Sequence, residues 1–484
     1  MQGRVVLAWV VIAAALAGVY LLTGRAGRVE PREDAARPLL RVPIDPARVE
    51  RVELSMADGR DASVERAAWS PTGWVAHWTE GGREVAWAVR EQRVRGALRA
   101  LSSSALGVRE AGEGEGEVEA TWTIRSMGGE TCEVALLEGG VGGRRGIRIE
   151  GVEGAASRWI GREVAQAFTI ESVMAWRDGR MAAGVASGAT SLTIEGGGGR
   201  VALARSRGSW FVREPVEARA EAGVVEDALA RVASLDAGDG GGLWAGADDA
   251  EVTALASPLA TIEVESVGRV AQGEGFLREV TRWRVEIGGT ASGNGATRFV
   301  RARRDVILDG EVLKERSLGP VVRAVDVSTL SKLTSRAEAY VSRAPTGVLA
   351  ADVGVVRLIG DQGEVVFERD RRGWVRGGEA VSVAGETARG IETLLSLACG
   401  QAASRVEVLG AVSEVDGRLG EVRFESLGGS VLAAFELGAT GTGDALVLRE
   451  GPVFWISEAP EAGGVVAWVR ETLDPRGGGA PPPP

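Results

Sequence analysis

One histidine, two cysteines and 67 carboxylates leave this 484-residue chain a short menu of reactions. His77 is alone, so a two-histidine metal site or a facial triad cannot be assembled within the chain. It sits in PTGWVAHW, Pro71–Trp78, where a satisfied or solvent-facing imidazole is the simplest reading. No G-x-S-x-G elbow occurs, and no serine has a partner base beside it in sequence. Cys132 in TCEVAL alternates with Val134 and Leu136, which points its thiol into a core. Cys399 closes the apolar run IETLLSLAC. Two buried free thiols fit better than a disulfide, which would have to join the separate repeats described below.

The glycine runs fail as phosphate loops by their context. EGGGGR, Glu195–Arg200, lies between two alternating strands, whereas a phosphate loop needs a helix after it and a Gly-Lys-Ser/Thr ending. GGVGGRRG, Gly139–Gly146, fails for the same reason. Asp248 and Asp249, beside Trp244 in GDGGGLWAGADD, are the acidic cluster to consider for a carboxylate-dependent hydrolase. That segment lacks the glutamate and oxygen spacing of a calcium loop, and a solvated loop explains it more simply. Trp69, Trp78 and Trp87 crowd together, and offer a stacking surface for a sugar or peptide. The residues therefore specify no catalytic, metal or cofactor site, and the chain reads as a non-enzyme.

Trp74, Trp210 and Trp374 belong to a longer pattern. RVELSMADGRDASVERAAWSPTGWVAHW, SLTIEGGGGRVALARSRGSWFVREPVEA and VVRLIGDQGEVVFERDRRGWVRGGEAVSV each give an alternating strand, a glycine turn, a second strand and a Trp strand. A segment of helical period follows each, marked by Val94, Leu98 and Leu101; by Val225, Leu229 and Val232; and by Ile391, Leu394 and Leu395. Second halves follow with further hairpins: TWTIRSMGGETCEVALLEG, TIEVESVGRV with RWRVEIGG, and VRFESLGGSVLAAFELG. RGIRIEG with SRWIG, TRFVRA with DVILD, and ALVLRE with VFWIS add strands, and REVAQAF, VDVSTLSKL and GGVVAWVRETL close each copy as helices. The fold class expected is α+β: three tandem units of β-hairpins and small antiparallel sheets backed by helices. The recurring tryptophan is then internal filler between hairpin and helix.

A membrane segment precedes the units. Val5–Leu22 is eighteen uncharged residues, about 27 Å of helix against a hydrocarbon core of about 30 Å. A cleaved signal peptide is the rival, through Ala15-Leu16-Ala17, but cleavage there leaves GVYLL at the new terminus. Arg25, Arg28 and Arg32 after the span favour a cytoplasmic domain, while the four-residue tail before it favours export, so charge alone leaves the side open. A net charge of −11 argues against a nucleic-acid partner.

The boundaries expected are 1–24 for the transmembrane anchor, 25–38 for the stalk, 39–181, 182–343 and 344–475 for units one to three, and 476–484 for a Gly/Pro tail. LLRVPIDPARVERVEL, LASPLATIEVES and AWRDGRM carry a resemblance to a bacterial membrane-anchored family, domain of unknown function 4340. That resemblance implies repeats outside the cytoplasm, on the inner membrane, beside gliding-motility-type ABC transporter auxiliary proteins, and no catalytic residues. The expected function is a scaffold or accessory subunit with protein partners in an envelope complex. A glycan-binding module and a carboxylate hydrolase are the alternatives.

Overall fold

The computed structural model describes residues 45–80, 82–103, 105–108, 116–141, 144–150, 156–161, 165–166, 175–237, 253–272, 275–291, 296–379, 382–383, 385–408, 415–441 and 443–474. Val5–Leu22, the stalk, the Gly/Pro tail and GDGGGLWAGADD lie outside these residues, as does most of REVAQAF. Among the described residues no helix is long and apolar enough to cross a membrane.

Two compact units are present, one running to Gly179 and the other holding the chain from Arg180 onward. The first contains β1 (Val49–Met56), β2 (Asp61–Arg66), β3 (Trp74–Glu80), β4 (Arg83–Ala88), helix α1 (Glu91–Ser103), β5 (Ala105–Val108), β6 (Val118–Ser126), β7 (Thr131–Val141), β8 (Arg144–Glu150) and β9 (Ala156–Gly161). Its nine strands form one antiparallel sheet in the order β4-β3-β2-β1-β6-β7-β8-β9-β5.

The second unit carries two sheets. The first of these begins with β10 (Ala189–Gly196), β11 (Gly199–Ser206), β12 (Ser209–Glu214), β13 (Ala218–Arg219) and α2 (Ala222–Ala233). It continues through β14 (Ala260–Gln272), β15 (Gly275–Thr290), β16 (Thr297–Leu308), β17 (Glu311–Val312) and β18 (Leu318–Asp326). Its order is β13-β12-β11-β10-β14-β15-β16-β17, with β18 also paired to β16. The last sheet has β19 (Val355–Gly360), β20 (Gly363–Asp370), β21 (Gly373–Arg376), α3 (Gly385–Leu395), β22 (Arg405–Val408), β23 (Val415–Glu425), β24 (Val431–Thr440), β25 (Leu446–Glu450), β26 (Val453–Ser457) and α4 (Ala462–Leu473). It runs β21-β20-β19-β23-β24-β25-β26-β22.

In each sheet a meander runs outward, of four strands in the first two sheets and three in the last, the chain then passes through a helix, and a later long strand pairs with the first strand of the meander. Strand alternation sets which residues are buried. Leu54 lies opposite Trp122, Ile194 opposite Ile262, and Leu358 opposite Val422, all fully buried or nearly so. Each buried aliphatic side chain of this kind contributes about 1.5–3 kcal/mol. The helices bury the periodic face the sequence marks: Val94 and Leu98 in α1, Val225, Leu229 and Val232 in α2, and Ile391, Leu394 and Leu395 in α3.

Among the described residues strand outweighs helix, 53% to 19%, and the strands form three antiparallel sheets. Three details depart from expectation. The two halves of each expected unit fuse edge to edge through the pairings β1–β6, β10–β14 and β19–β23 into single large sheets, because the backbone edge of each first strand is satisfied by the second half. TRFVRA and DVILD are one continuous strand, β16, paired along its length with β15. VDVSTLSKL makes only a five-residue 3-10 helix, Ser328–Lys332. The second and third sheets lie in one compact unit, in which the N–H of Ala403 bonds the Arg343 carbonyl at 2.9 Å and Nε1 of Trp455 bonds the Ser342 carbonyl at 2.9 Å.

Candidate functional site

The crowded tryptophans of the first unit are spread along the meander. Trp78 is 5% exposed on β3 and Trp87 1% on β4, while Trp69 is half-buried in the turn before β3. The Arg177 guanidinium lies 5.0 Å from the Trp78 ring centroid, and Nε1 of Trp87 donates to the Asp178 carbonyl at 2.9 Å. Sugar or peptide has no access to rings this deeply covered, so Trp78 and Trp87 serve the core and only Trp69 keeps partial contact with solvent. The recurring Trp74, Trp210 and Trp374 are also buried.

His77 is half-buried between acids, with Nε2 3.4 Å from Glu65 and Nδ1 3.9 Å from Glu84. Cys132 and Cys399 are free and half-buried, rather than fully enclosed as alternation and the apolar run suggest. Burial raises both thiols, Cys399 to about 11, which suppresses the nucleophilic thiolate. Asp248 and Asp249 fall outside the described residues. Among the described residues no group of three or more His, Cys, Asp or Glu side chains is placed to hold a metal ion.

Carboxylates that sequence spacing could not place turn out to face arginines. On β14–β16, Glu265 pairs with Arg282 at 2.7 Å, Glu263 with Arg284 at 3.2 Å, and the buried Glu286 with both Arg284 and Arg301. In the third sheet Glu425 pairs with Arg357 at 3.1 Å. Apart from Arg284 and Glu286, which neighbour each other along β15, these are cross-strand pairs of opposite sign, the arrangement that stabilises a sheet face. Among the described residues Asp178 is the most deeply enclosed acid, its side chain fully buried with Arg90 Nε at 3.5 Å. AWRDGRM holds it against β4, through the N–H of Arg90 to the Trp176 carbonyl and that of Asp178 to the Ala88 carbonyl. Nothing in the sequence pattern pairs Arg90 with Asp178, because the contact depends on a chain return of 88 residues.

An open cleft of about 510 Å³ adjoins Trp374, between the start of α3 and the π turn Ser396–Gly400. Glu392 accepts from Trp374 Nε1 at 2.7 Å and from Arg369 at 3.2 Å, and Gln401 bonds Ser396 Oγ at 3.2 Å. With its carboxylate already engaged twice, the cleft suits hydrogen-bonded contact better than proton transfer.

Two tight turns expose large apolar residues at matching places. SMGGE joins β6 to β7 and SLGGS joins β23 to β24. In each the first serine N–H bonds the fifth residue's carbonyl at 2.9 Å, and Gly129 and Gly429 adopt φ of +81° and +80°. Met127 and Leu427 project into solvent from these turns, 60% and 76% exposed. In the second sheet the corresponding connection extends into the β14–β15 hairpin, which exposes Phe276 near its tip.

No protein-family model, curated protein or solved structure matches the chain.

Proposed function

We propose that the chain is a single-pass, membrane-anchored, non-enzymatic protein built from three copies of one sheet-and-helix module. It acts as a scaffold or accessory subunit of an envelope complex, with its modules outside the cytoplasm. Val5–Leu22 supplies the anchor and raises the local concentration of a membrane partner. The partners expected are transporter-like membrane proteins or further copies of the chain.

One observation carries this reading. In each sheet the first strand lies between its own hairpin partner and a long strand from beyond the helix (β2-β1-β6, β11-β10-β14 and β20-β19-β23), and an apolar residue is exposed in or beside the connection that follows each of those long strands. A module repeated behind an anchor multiplies surface, and exposed Met127, Phe276 and Leu427 are the apolar anchors that a protein contact buries first. Paired charges on the sheet faces suit a polar rim.

Crosslinking in native membranes followed by co-purification is the direct test. Recovery of a defined protein partner, lost when Met127 and Leu427 are both changed to Ser, is the expected result. Recovery of no partner from either the native chain or overproduced membranes removes the proposal. Protease protection of the modules in intact cells, with digestion only after the outer envelope is opened, tests the side of the membrane.

A further inference from the structure

One position can be matched across all three sheets, and its surroundings differ in each. The registers define it: Met56 lies opposite Ala120, Gly196 opposite Ala260, and Gly420 lies beside Ile359 and Gly360. On the following strand the partners are Leu136, Ile287 and Leu437. In the first sheet the adjoining large residue is Trp122, fully buried and edge-on to Trp176 at 5.4 Å. In the third sheet α4 ends over the spot. Leu473 approaches so closely that its methyl carbons lie 3.3–3.4 Å from where a Cβ on Gly360 would stand, and 3.0 Å from one on Gly420.

The second sheet has no such plug. The element that replaces α4 is the 3-10 helix Ser328–Lys332, and it leaves a cavity of about 380 Å³. Ile194, Ile262 and Ile287 form the sheet wall, and Leu330 and Leu333 the opposite one. This size falls within the range of small-molecule sites, and the lining has their mix of aliphatic walls with a polar end. The polar end is the Gly197–Gly198 turn with Ser335 and Arg336 beside it. Ser335 Oγ stands 2.9 Å, and Arg336 Nε 3.8 Å, from where a Cβ on Gly198 would be, so only glycine lets this cation and hydroxyl close over the turn. Glu195 also borders the cavity, but alternation turns it away from the face that Ile194 presents.

We infer that this cavity binds a small aliphatic carboxylate, its branched chain between the isoleucine and leucine walls and its carboxylate on Arg336. The third sheet supplies the template. There a leucine side chain fills the equivalent space, and the next residue's carboxylate, Asp474 Oδ1, accepts a hydrogen bond from Gln362 of the hairpin turn at 3.2 Å. A free aliphatic acid offers both groups in one molecule, and Arg336 strengthens the polar contact by adding charge. The inference depends on the correspondence of the two sheets and not on any protein partner.

Equilibrium dialysis of the full chain in lipid nanodiscs against radiolabelled 4-methylpentanoate is the test, with 4-methylpentanamide as the uncharged probe. One equivalent of acid should bind. Arg336→Gln should weaken the acid at least about tenfold while leaving the amide within about twofold. Ala260→Leu, which places a leucine branch where Leu473 sits in the third sheet, should abolish binding of both. Arg336 is exposed, so its variant keeps the test valid even if Ala260→Leu unfolds. No saturable binding up to about 10 mM, or acid binding indifferent to Arg336→Gln, overturns the inference.

Discussion

The backbone N–H of Val383 donates to the carbonyl of Trp374 at 3.0 Å, locking the Trp strand to the segment that leads into α3. Val89 makes the same bond to Trp74 at 3.1 Å, and Ala220 to Trp210 at 2.9 Å. Each tryptophan therefore sits at the corner where the meander turns into its helix, with the ring buried and the backbone tied to the exit. Replacing any of the three by Ala should cost about 3–5 kcal/mol, the usual penalty for emptying a large aromatic site. Trp374→Phe should cost about 1 kcal/mol more than Trp74→Phe, because only Trp374 has its Nε1 bonded to a carboxylate, Glu392. Hydrogen exchange of the strands in each sheet measures these losses separately, which a single unfolding curve of a two-unit chain would merge.

Gly390 sets helix propensity against packing. In an exposed helix Gly→Ala gains about 1 kcal/mol. Here a Cβ would lie 2.4 Å from Trp468 Cδ2, so the α3–α4 crossing has no room for a methyl group. Overpacking of this kind costs about 1–3 kcal/mol, and Trp468 is held by Phe367 at 6.1 Å on its other side. Gly390→Ala should therefore destabilise the third sheet. Greater protection of α3 and α4 in hydrogen exchange would show that the indole moves aside at no cost.

Cys399 should alkylate slowly. Burial lifts its thiol from an ordinary 9.0 to about 11, which leaves about one hundredth of the usual thiolate at pH 8. Iodoacetamide labelling of the folded chain should run about 100-fold slower at this position than after denaturation. The linked stability has a definite sign. A raised thiol pKa stabilises the fold fully below pH 9.0, and that stability is lost as pH rises through about 11. Cys399→Ala should flatten the alkaline limb of the stability curve over that window.

Local pattern was enough to place most elements and not enough to join them. Alternation identifies β1, β10 and β19, and the glycine turns identify their hairpins, because both signals lie within about ten residues. The helical faces of Val94, Val225 and Ile391 are visible for the same reason. The pairings β1–β6, β10–β14 and β19–β23 span helices and long loops, so nothing local announces that two hairpin groups make one sheet. The site was less legible still. Trp69, Trp78 and Trp87 look alike in sequence, yet pairing to neighbouring strands buries two of them. The cavity beside Gly198 depends on how short the Ser328–Lys332 segment is, and the sequence there reads as an ordinary closing helix.

Leu473 offers the sharpest comparison between the second and third sheets. It is half-buried at the end of α4, and it packs on Gly360 and Gly420, two glycines that leave room for it. Leu473→Ala removes this plug from a site whose walls, Leu358, Val422 and Leu437, are rigid parts of the central pairing. Because the leucine is only half-buried, the cost should be about 1–2 kcal/mol rather than the 2–5 of a fully enclosed one. The loss should appear as faster exchange at the ends of β19 and β23, with the Gln362–Asp474 bond at 3.2 Å loosened as α4 frays. The second sheet has no counterpart of Leu473 and tolerates the open space, because Leu330 and Leu333 wall it from the far side. An unchanged exchange pattern in Leu473→Ala would mean that the third sheet tolerates the vacancy just as readily, and that α4 is held by its other buried residues, Ala462, Val465, Val466, Trp468 and Val469.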